Sequence, residues 1–304
     1  MSAPELSVVV VAWRAREDAL ALAGAFPSDP RYELVVVDNS GELTEAGAAL
    51  GRARLLAPGR NLGFAAGSNL GARAGRAPRL LFLNPDARPT PGALDRLLEA
   101  FARHSEAAGL VPRLVGEDGA PQWAWQLKPL PSPLALLAHA FFWSPTRGPR
   151  REPEPGTAVA QPAAAALALT REAFEAVGGF DEGYFPAWFE DVDLARRLAA
   201  RSLALVYAPQ AVFVHRGGGS VPALGYGGFL AAYDRNLARY LRRHHGRGWE
   251  LAFRTLVPLG ALARLALLPV RRPRRAASRG EAAAALVAAA RAALAGWPAG
   301  GALR

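Results

Sequence analysis

A chain of 304 residues that is 51% hydrophobic carries enough apolar surface for one large α/β domain or two small ones, which excludes a largely disordered polymer. The absence of cysteine excludes a disulfide framework and a thiolate metal site. The formal charge of +10 sits at one end: residues 235–304 hold fourteen arginines against Glu250 and Glu281, a net +12, which leaves −2 for the rest.

The first apolar run, residues 8–12, is of strand length and lacks the basic start and cleavage site of a secretory signal, so a cytoplasmic protein is expected. Branched or leucine-rich runs predict strands over residues 6–13, 32–38, 54–57, 80–83 and 109–115, and helix-like stretches lie between them at 15–25, 44–50, 65–74 and 91–104. Runs without polar alternation are strands covered on both faces. The sheet is therefore expected to be mostly parallel and doubly wound, with ligands at the carboxyl ends of the strands, where Trp13, Asp38 and Asp86 fall. Residues 116–160, rich in Pro, Arg and Trp, read as an ordered excursion followed by a flexible loop. Structure resumes with a small-residue strand at 161–170 and a helix at 171–177. After the turn Gly178-Gly179-Phe180-Asp181-Glu182 another helix starts at Glu190, and a strand at 211–214 ends at His215.

Two hydrophobic elements give way to carboxylates, at Leu81-Phe82-Leu83-Asn84-Pro85-Asp86 and at Trp188-Phe189-Glu190-Asp191-Val192-Asp193-Leu194. One carboxylate can hold a metal while the other takes a proton. Asp193 lies three and four residues before Arg196 and Arg197 and reads as a helix salt bridge. Glu190 and Asp191 occupy a first turn, either as dipole-favoured caps or as reactive groups. Trp188 and Phe189 are either core or an aromatic face for a sugar. Asp38 and Asp86 are either turn residues or ligands, and Asn61 either caps the helix after it or lines a pocket. The run Arg216-Gly217-Gly218-Gly219-Ser220 after His215 is either a plain loop or a close approach for phosphate, with Arg216 neutralising its charge.

Residues 251–270 are apolar but interrupted by Arg254, Pro258 and Arg264, which is poor for spanning a bilayer and suited to lying in its interface; Arg271-Arg272-Pro273-Arg274-Arg275 follow at once. Attachment to an anionic membrane surface through a separable tail is the expectation. The other reading is a helix packed on the domain with a solvated arginine face. Nucleic acid is not an expected partner, because no aromatic-interleaved basic surface or DNA-binding module is present.

Taken in order, Val35-Val36-Val37-Asp38-Asn39-Ser40, Arg60-Asn61-Leu62-Gly63-Phe64 with its continuation to Asn69, the segment ending in Asp86, and the segment around Asp191 resemble the inverting glycosyltransferases of family 2, and most closely their bacterial rhamnosyltransferase-like branch. The resemblance covers residues 6–245. It implies a GT-A (Rossmann-like) α/β fold over 1–245 with helices flanking the sheet, divided into a nucleotide-sugar-binding half (1–115) and an acceptor and catalytic half (161–245); residues 246–304, outside it, are expected from their charge and apolar pattern to be a basic amphipathic helical tail. Asp191 is implied as general base. Asn84-Pro85-Asp86 stands where the family has a strand-end Asp-x-Asp motif, so Asp86 is implied as a metal ligand, together with His215. A chain without cysteine suits a hard, oxygen-bound ion, Mn2+ or Mg2+, to carry the departing diphosphate. Substrate contacts are implied for Ala12, Trp13 and Arg14 (where the branch commonly has Tyr-Asn), for Asp38 and Asn39, for Arg60, Asn61, Gly63, Phe64 and Asn69, and for Asn84, Pro85, Trp188 and Glu190. The function so implied is transfer of a sugar from a nucleoside-diphosphate sugar, dTDP-rhamnose-like before UDP-hexose, in cell-surface polysaccharide synthesis; the basic amphipathic tail adds the expectation of a glycan or lipid-linked acceptor and of a place at the inner face of the membrane. The alternative is an inactive nucleotide-sugar-binding or membrane-polyanion-binding protein with the same fold.

Overall fold

The computed structural model describes residues 3–141, 146–217, 224–273 and 275–297; Gly218, Gly219, Ser220 and Arg274 of the motifs above lie outside them. Along the chain run β1 (Leu6–Ala12), α1 (Arg16–Ala25), β2 (Tyr32–Asp38), a 3-10 segment (Thr44–Leu50), β3 (Arg54–Leu56), α2 (Gly63–Ala74), β4 (Arg79–Leu83), β5 (Ala87–Pro89), α3 (Ala93–Arg103), β6 (Gly109–Val115), α4 (Trp123–Gln126), β7 (Leu127–Lys128), α5 (Pro133–Leu137), a 3-10 segment (Ala138–Phe141), β8 (Gln161–Pro162), β9 (Ala166–Thr170), α6 (Arg171–Ala176), α7 (Glu190–Ala199), β10 (Leu205–His215), α8 (Gly225–His245), α9 (Arg247–Leu267) and α10 (Arg279–Ala295). They form two compact units: Met1–Leu130, Arg147–Glu182 and Glu190–Gly219 make the first, and Pro131–Thr146, Gly183–Phe189 and Ser220–Arg304 the second.

The first unit is built on an eight-stranded sheet of order β3-β2-β1-β4-β9-β6-β10-β5. Every residue of β1 is buried, as its run of valines requires of a central strand covered on both faces. β1 pairs in parallel with β2 and β4, β2 with β3, and β6 with β10. The remaining ladders are antiparallel: β9 runs between β4 and β6 in the opposite sense, and β5 runs back along β10. The sheet is therefore mixed: the mostly parallel arrangement that was expected is interrupted by β9 and edged by β5. β9 enters the sheet at the end where β4 stops, Leu83 facing Ala166, and so runs back along β4 in the antiparallel sense.

Three boundaries differ from the sequence reading. The strand expected at 161–170 divides, and β8 pairs with β7 in a separate two-stranded sheet. The strand at 211–214 is the end of the longer β10, which is bulged between Ala208 and Val212. The described part of the expected flexible loop is tied down. Gly156 and Val159 donate their amides to the carbonyls of Tyr207 and Leu205, and Glu152 accepts from the Tyr207 hydroxyl at 2.7 Å while pairing with Arg113 at 3.0 Å.

Helix α2 approaches the sheet closely because two glycines one turn apart face it. A Cβ at Gly67 would lie 2.8 Å from Val11 Cγ1, and one at Gly71 would strike Val9 Cγ1. That approach sets the start of α2 beside the ends of β1 and β2.

In the second unit α8, α9 and α10 pack on one another through Leu230, Tyr240, Leu241, Phe253, Val257, Ala261 and the small face of α10, Ala282, Ala285, Leu286, Ala289 and Ala293. Ser278 Oγ caps α10 by accepting from Glu281 N at 3.0 Å, and the Glu281 carboxylate accepts from the amides of Ala277 and Tyr226. The C-terminal helical region expected after residue 245 is present as α9 and α10, and both pack on α8 within this unit. Two of its arginines likewise turn inward. Arg254 donates to the carbonyls of Ala293 and Leu294 at the end of α10, and Arg264 to those of His139 and Ala140. Among the described residues no helix is long and apolar enough to cross a membrane.

Substituting Gly71→Ala forces α2 away from β1 and is expected to cost about 1–3 kcal/mol in urea denaturation, whereas Gly47→Ala, whose added Cβ meets nothing within 4 Å, is expected to be neutral or slightly stabilising. Equal midpoints for the two variants would show that the close approach carries no weight.

Candidate active site

The ladder between β5 and β10 creates the first cluster. Asn84 N donates to Ala165 O at the end of β4, and Ala87 N closes a turn onto Asn84 O, so Pro85 and Asp86 form the apex. Beyond it β5 pairs with β10, Ala87 facing His215, and Arg216 N donates to Asp86 O. Asp86 Oδ1 then lies 3.6 Å from His215 Nε2, with the two side chains only 7% and 5% exposed. On its other nitrogen His215 meets Gln122: Nδ1 is 2.8 Å from Gln122 Oε1, while Gln122 Nε2 donates to the His215 carbonyl at 2.8 Å. The Trp125 ring stacks on the imidazole, centroids 5.5 Å apart. Burial pushes the His215 pKa down, against the opposing charge of Asp86, which favours a neutral ring able to ligate.

The separation of 3.6 Å is too long for a hydrogen bond and lies within the span of two ligands on one divalent ion, each about 2.0–2.2 Å from it. Among the described residues no cluster of three His, Cys, Asp or Glu suits a metal. A pair of protein ligands, one carboxylate and one imidazole, fits an ion whose other positions go to substrate phosphates and water. Arg216, for which a plain loop and a diphosphate contact were both open, pairs with Asp18 at 2.7 Å.

The second cluster stands at the start of α7. Asp191 accepts at Oδ1 from Val192 N (2.8 Å) and at Oδ2 from Ala164 N (3.3 Å). Burial raises its pKa, and these two amides and the charge of Lys128 oppose the rise. Glu190, beside it, has a buried Oε2 without a hydrogen-bond partner. Its pKa is driven well above the usual carboxylate range, first by burial and then by Asp191 and Asp193. The two neighbours thus differ in support: Asp191 has two amide donors against its burial, and Glu190, with an unpartnered oxygen, is pushed further towards its protonated form. Asp193 forms the expected bridge, 2.7 Å to Arg197 Nε, and is fully buried. The two clusters meet through consecutive residues: Ala164 gives its amide to Asp191, and Ala165 gives its carbonyl to Asn84.

The third group gathers at the ends of β1 and β2 and the start of α2. Asn39 N donates to Ala12 O, Arg14 N to Ser40 Oγ, and the Arg14 guanidinium lies over the Trp13 ring at 5.0 Å. Asn39 Nδ2 donates to Gly63 O, and Asn61 Oδ1 accepts from Gly63 N, so Asn61 holds the first amide of α2 through a local turn, one residue outside the N-cap position Leu62. Gly63 itself has φ of +77°, which explains glycine there. Asp38 is spent on its loop: Oδ1 accepts from the amides of Ser40 and Gly41 and the Ser40 hydroxyl, and Oδ2 from Leu43 N. At 1% exposure it organises the loop in place of the projecting contact expected of it. Asn69 is similarly committed, holding both backbone polar groups of Phe180 and Glu182 Oε1. Phe64 packs edge-on against Phe180, and Arg60 is exposed. Trp188 belongs to the second unit. It stands edge-on to Phe229 at 5.0 Å, and Trp188 and Phe189 have φ of 76° and 73°. That unfavourable backbone is secured by Asn236, whose Nδ2 donates to Ala187 O and Trp188 O. Gln122, Ala164, Ala165 and Lys128 were not legible as site residues, because nothing in a Pro- and Trp-rich excursion or an alanine run announces which carboxylate or imidazole it meets.

The sheet with its strand-end clusters defines a GT-A-like α/β fold. The model of the family "Glycosyl transferase family 2" matches residues 7–178, and the chain belongs to that family. It is 33% identical over 241 residues to a Mycobacterium tuberculosis protein named N-acetylglucosaminyl-diphospho-decaprenol L-rhamnosyltransferase, covering 72% of this chain and 76% of that one. To the O-antigen biosynthesis protein RfbC of Myxococcus xanthus it is 28% identical, over 75% of this chain and 20% of that much longer one. Among solved structures, the Pyrobaculum calidifontis mannosyltransferase PcManGT in complex with GDP-Man and Mn2+ superposes with a TM-score of 0.52 at 18% identity, over 97% of this chain and 88% of that one. GalNAc-T7 with UDP, GalNAc and Mn2+ does so with a TM-score of 0.56 at 15% identity, over 79% of this chain and 48% of that one. At such identities the likeness is one of fold.

A carboxyl with a raised folded pKa binds protons that the unfolded chain has released, so its burial weakens the fold as pH rises above the ordinary glutamate value of about 4.3. Glu190→Gln removes that penalty. The melting temperature of the variant is expected to gain on that of the unaltered protein from pH 5 to pH 8; parallel curves would show that Glu190 is not held protonated.

Proposed function

We propose that this family 2 glycosyltransferase moves a sugar from a nucleoside-diphosphate sugar to an acceptor hydroxyl with inversion, with Asp191 as general base. The observation that carries the reading is the seam at Ala164 and Ala165, which holds the Asp191 carboxylate and the Asp86 turn on adjacent residues. Asp86 and His215 would hold Mn2+ or Mg2+, which when bound neutralises the charge developing on the leaving diphosphate. Asp191 takes the acceptor proton as that oxygen attacks; its two amide bonds orient the carboxylate and oppose the rise in pKa that burial imposes, a rise that also suits a base, while Glu190 beside it is pushed further towards its neutral form. The loop that Asp38 organises, with Trp13, Arg14, Asn39, Arg60, Asn61 and Phe64, faces the donor nucleotide. A dTDP-rhamnose-like donor and a lipid-linked glycan acceptor in cell-surface polysaccharide synthesis are favoured by the name of the mycobacterial relative; a UDP-hexose is the next donor to assay.

The acceptor side of the reading draws on α9. Leu251, Leu259 and Leu262 share one exposed face of the helix, Leu267 and Val270 (82% exposed) follow, and Arg271 and Arg272 stand exposed directly after them. Buried residues Phe253, Val257 and Ala261 occupy the opposite face. We infer that the outer face lies on an anionic membrane, leucines in the interface and arginines at the headgroups.

Asp191→Asn keeps shape but cannot accept the proton, and is expected to lower the transfer rate about 10²- to 10⁴-fold with donor affinity nearly unchanged; Glu190→Gln should be milder. Radiolabelled transfer with Mn2+ over a panel of nucleotide sugars measures both. A larger loss for Glu190→Gln would move the base to that residue, and the absence of transfer or hydrolysis with any donor would favour an inactive binding protein.

The membrane assignment has its own check. Co-sedimentation with anionic vesicles is expected at low salt and to weaken as salt rises, and Leu259→Glu with Leu262→Glu should abolish it without lowering the melting temperature. A full chain that ignores such vesicles at low salt would end the assignment.

A further inference from the structure

Gln122 makes two bonds to one residue, and together they determine where the proton of His215 sits. A backbone carbonyl only accepts, so the Gln122 amide nitrogen is the group that faces His215 O at 2.8 Å. Its oxygen is thereby turned to His215 Nδ1, also at 2.8 Å. An amide oxygen accepts as well, and the hydrogen between them therefore belongs to Nδ1. In the neutral ring the lone pair is then on Nε2, the atom 3.6 Å from Asp86 Oδ1. Two acceptors face each other across that gap, an arrangement that a cation resolves and a hydrogen bond does not.

The amide is itself held firmly. Gln122 N donates to Leu114 O at 2.9 Å, anchoring the residue to β6, and its carbonyl accepts from Trp125 N and Gln126 N as α4 begins. Gln126 returns to the same strand, donating to Pro112 O at 2.7 Å. Trp125, on this short helix, stacks on the imidazole and limits its rotation.

We propose that Gln122 is the positioning residue of the metal site: by accepting from Nδ1–H it presents the His215 Nε2 lone pair to a divalent ion shared with Asp86. The proposal rests on the reading of Asp86 and His215 as ligands, and a second-sphere partner of this kind is worth about 10- to 100-fold in metal affinity.

Two measurements on the full chain test it, neither of which needs turnover. Nitrogen-15 NMR of histidine-labelled protein without metal should show His215 protonated on Nδ1; a proton on Nε2 overturns the proposal. Mn2+ alone, titrated by electron paramagnetic resonance, should bind about 10- to 100-fold more weakly to Gln122→Leu, while Gln122→Glu, which keeps an acceptor for Nδ1–H but loses the donor to the His215 carbonyl, should bind at least as well as the unaltered protein. Loss in both variants would mean that Gln122 serves only to hold the fold. If Gln122→Leu binds Mn2+ normally while His215→Ala does not, the positioning role is wrong and the metal site stands. Should His215→Ala also bind normally, the metal reading falls and the proposal with it.

Discussion

The geometry of the candidate site depends on the reversed strand β9. Because β9 runs back between β4 and β6, the residues that lead into it, Ala164 and Ala165, pass the end of β4 before the strand begins. Their peptide groups are used in opposite senses, one donating to Asp191 and one accepting from Asn84. A parallel strand entered from the other edge would bring neither group there. Alanine suits this seam because its side chain asks for little room, so the neighbouring backbones come within hydrogen-bonding distance.

Around that seam the unit separates its charges by the number of donors each carboxylate receives. Asp38 has four and is fully committed to its loop. Asp191 has two, which oppose the rise that burial imposes without cancelling it. Glu190 has an oxygen with none and is pushed towards its neutral form. Adjacent carboxylates in a poorly solvated place cannot both ionise cheaply, and the backbone decides which one does.

The second unit shows how a charge count can mislead about purpose. Of the terminal arginines, Arg254 ends α10 by binding its last carbonyls, Arg264 binds the carbonyls of the 3-10 segment at residues 138–141, and Arg279 binds those of Leu268 and Pro269. These cations satisfy helix ends that would otherwise be unpaired. Arg271 and Arg272 remain exposed beside the leucines of α9, so the surface proposed for the membrane is narrower than the net charge suggests, and it belongs to a helix whose other face is core.

Much was determined by the sequence alone. Valine runs without polar alternation specified the buried strands β1 and β2, the four motifs in order specified the family, and the spacing of Asp193 and Arg197 specified their bridge, since each of these is set by neighbours within a few residues or by the order of short segments. What the sequence could not contain was the pairing of distant residues: the antiparallel insertion of β9, the register that sets His215 opposite Ala87, the Gln122 amide 93 positions away from the imidazole it binds, and the packing of α10 on α8. A residue type states which bonds it can make, and only the folded chain states which partner is within 3 Å. For that reason Asp38 and Asn69, legible as motif positions, proved to be structural hubs, while Ala164 and Ala165, with no polar side chain to mark them, hold the candidate site together.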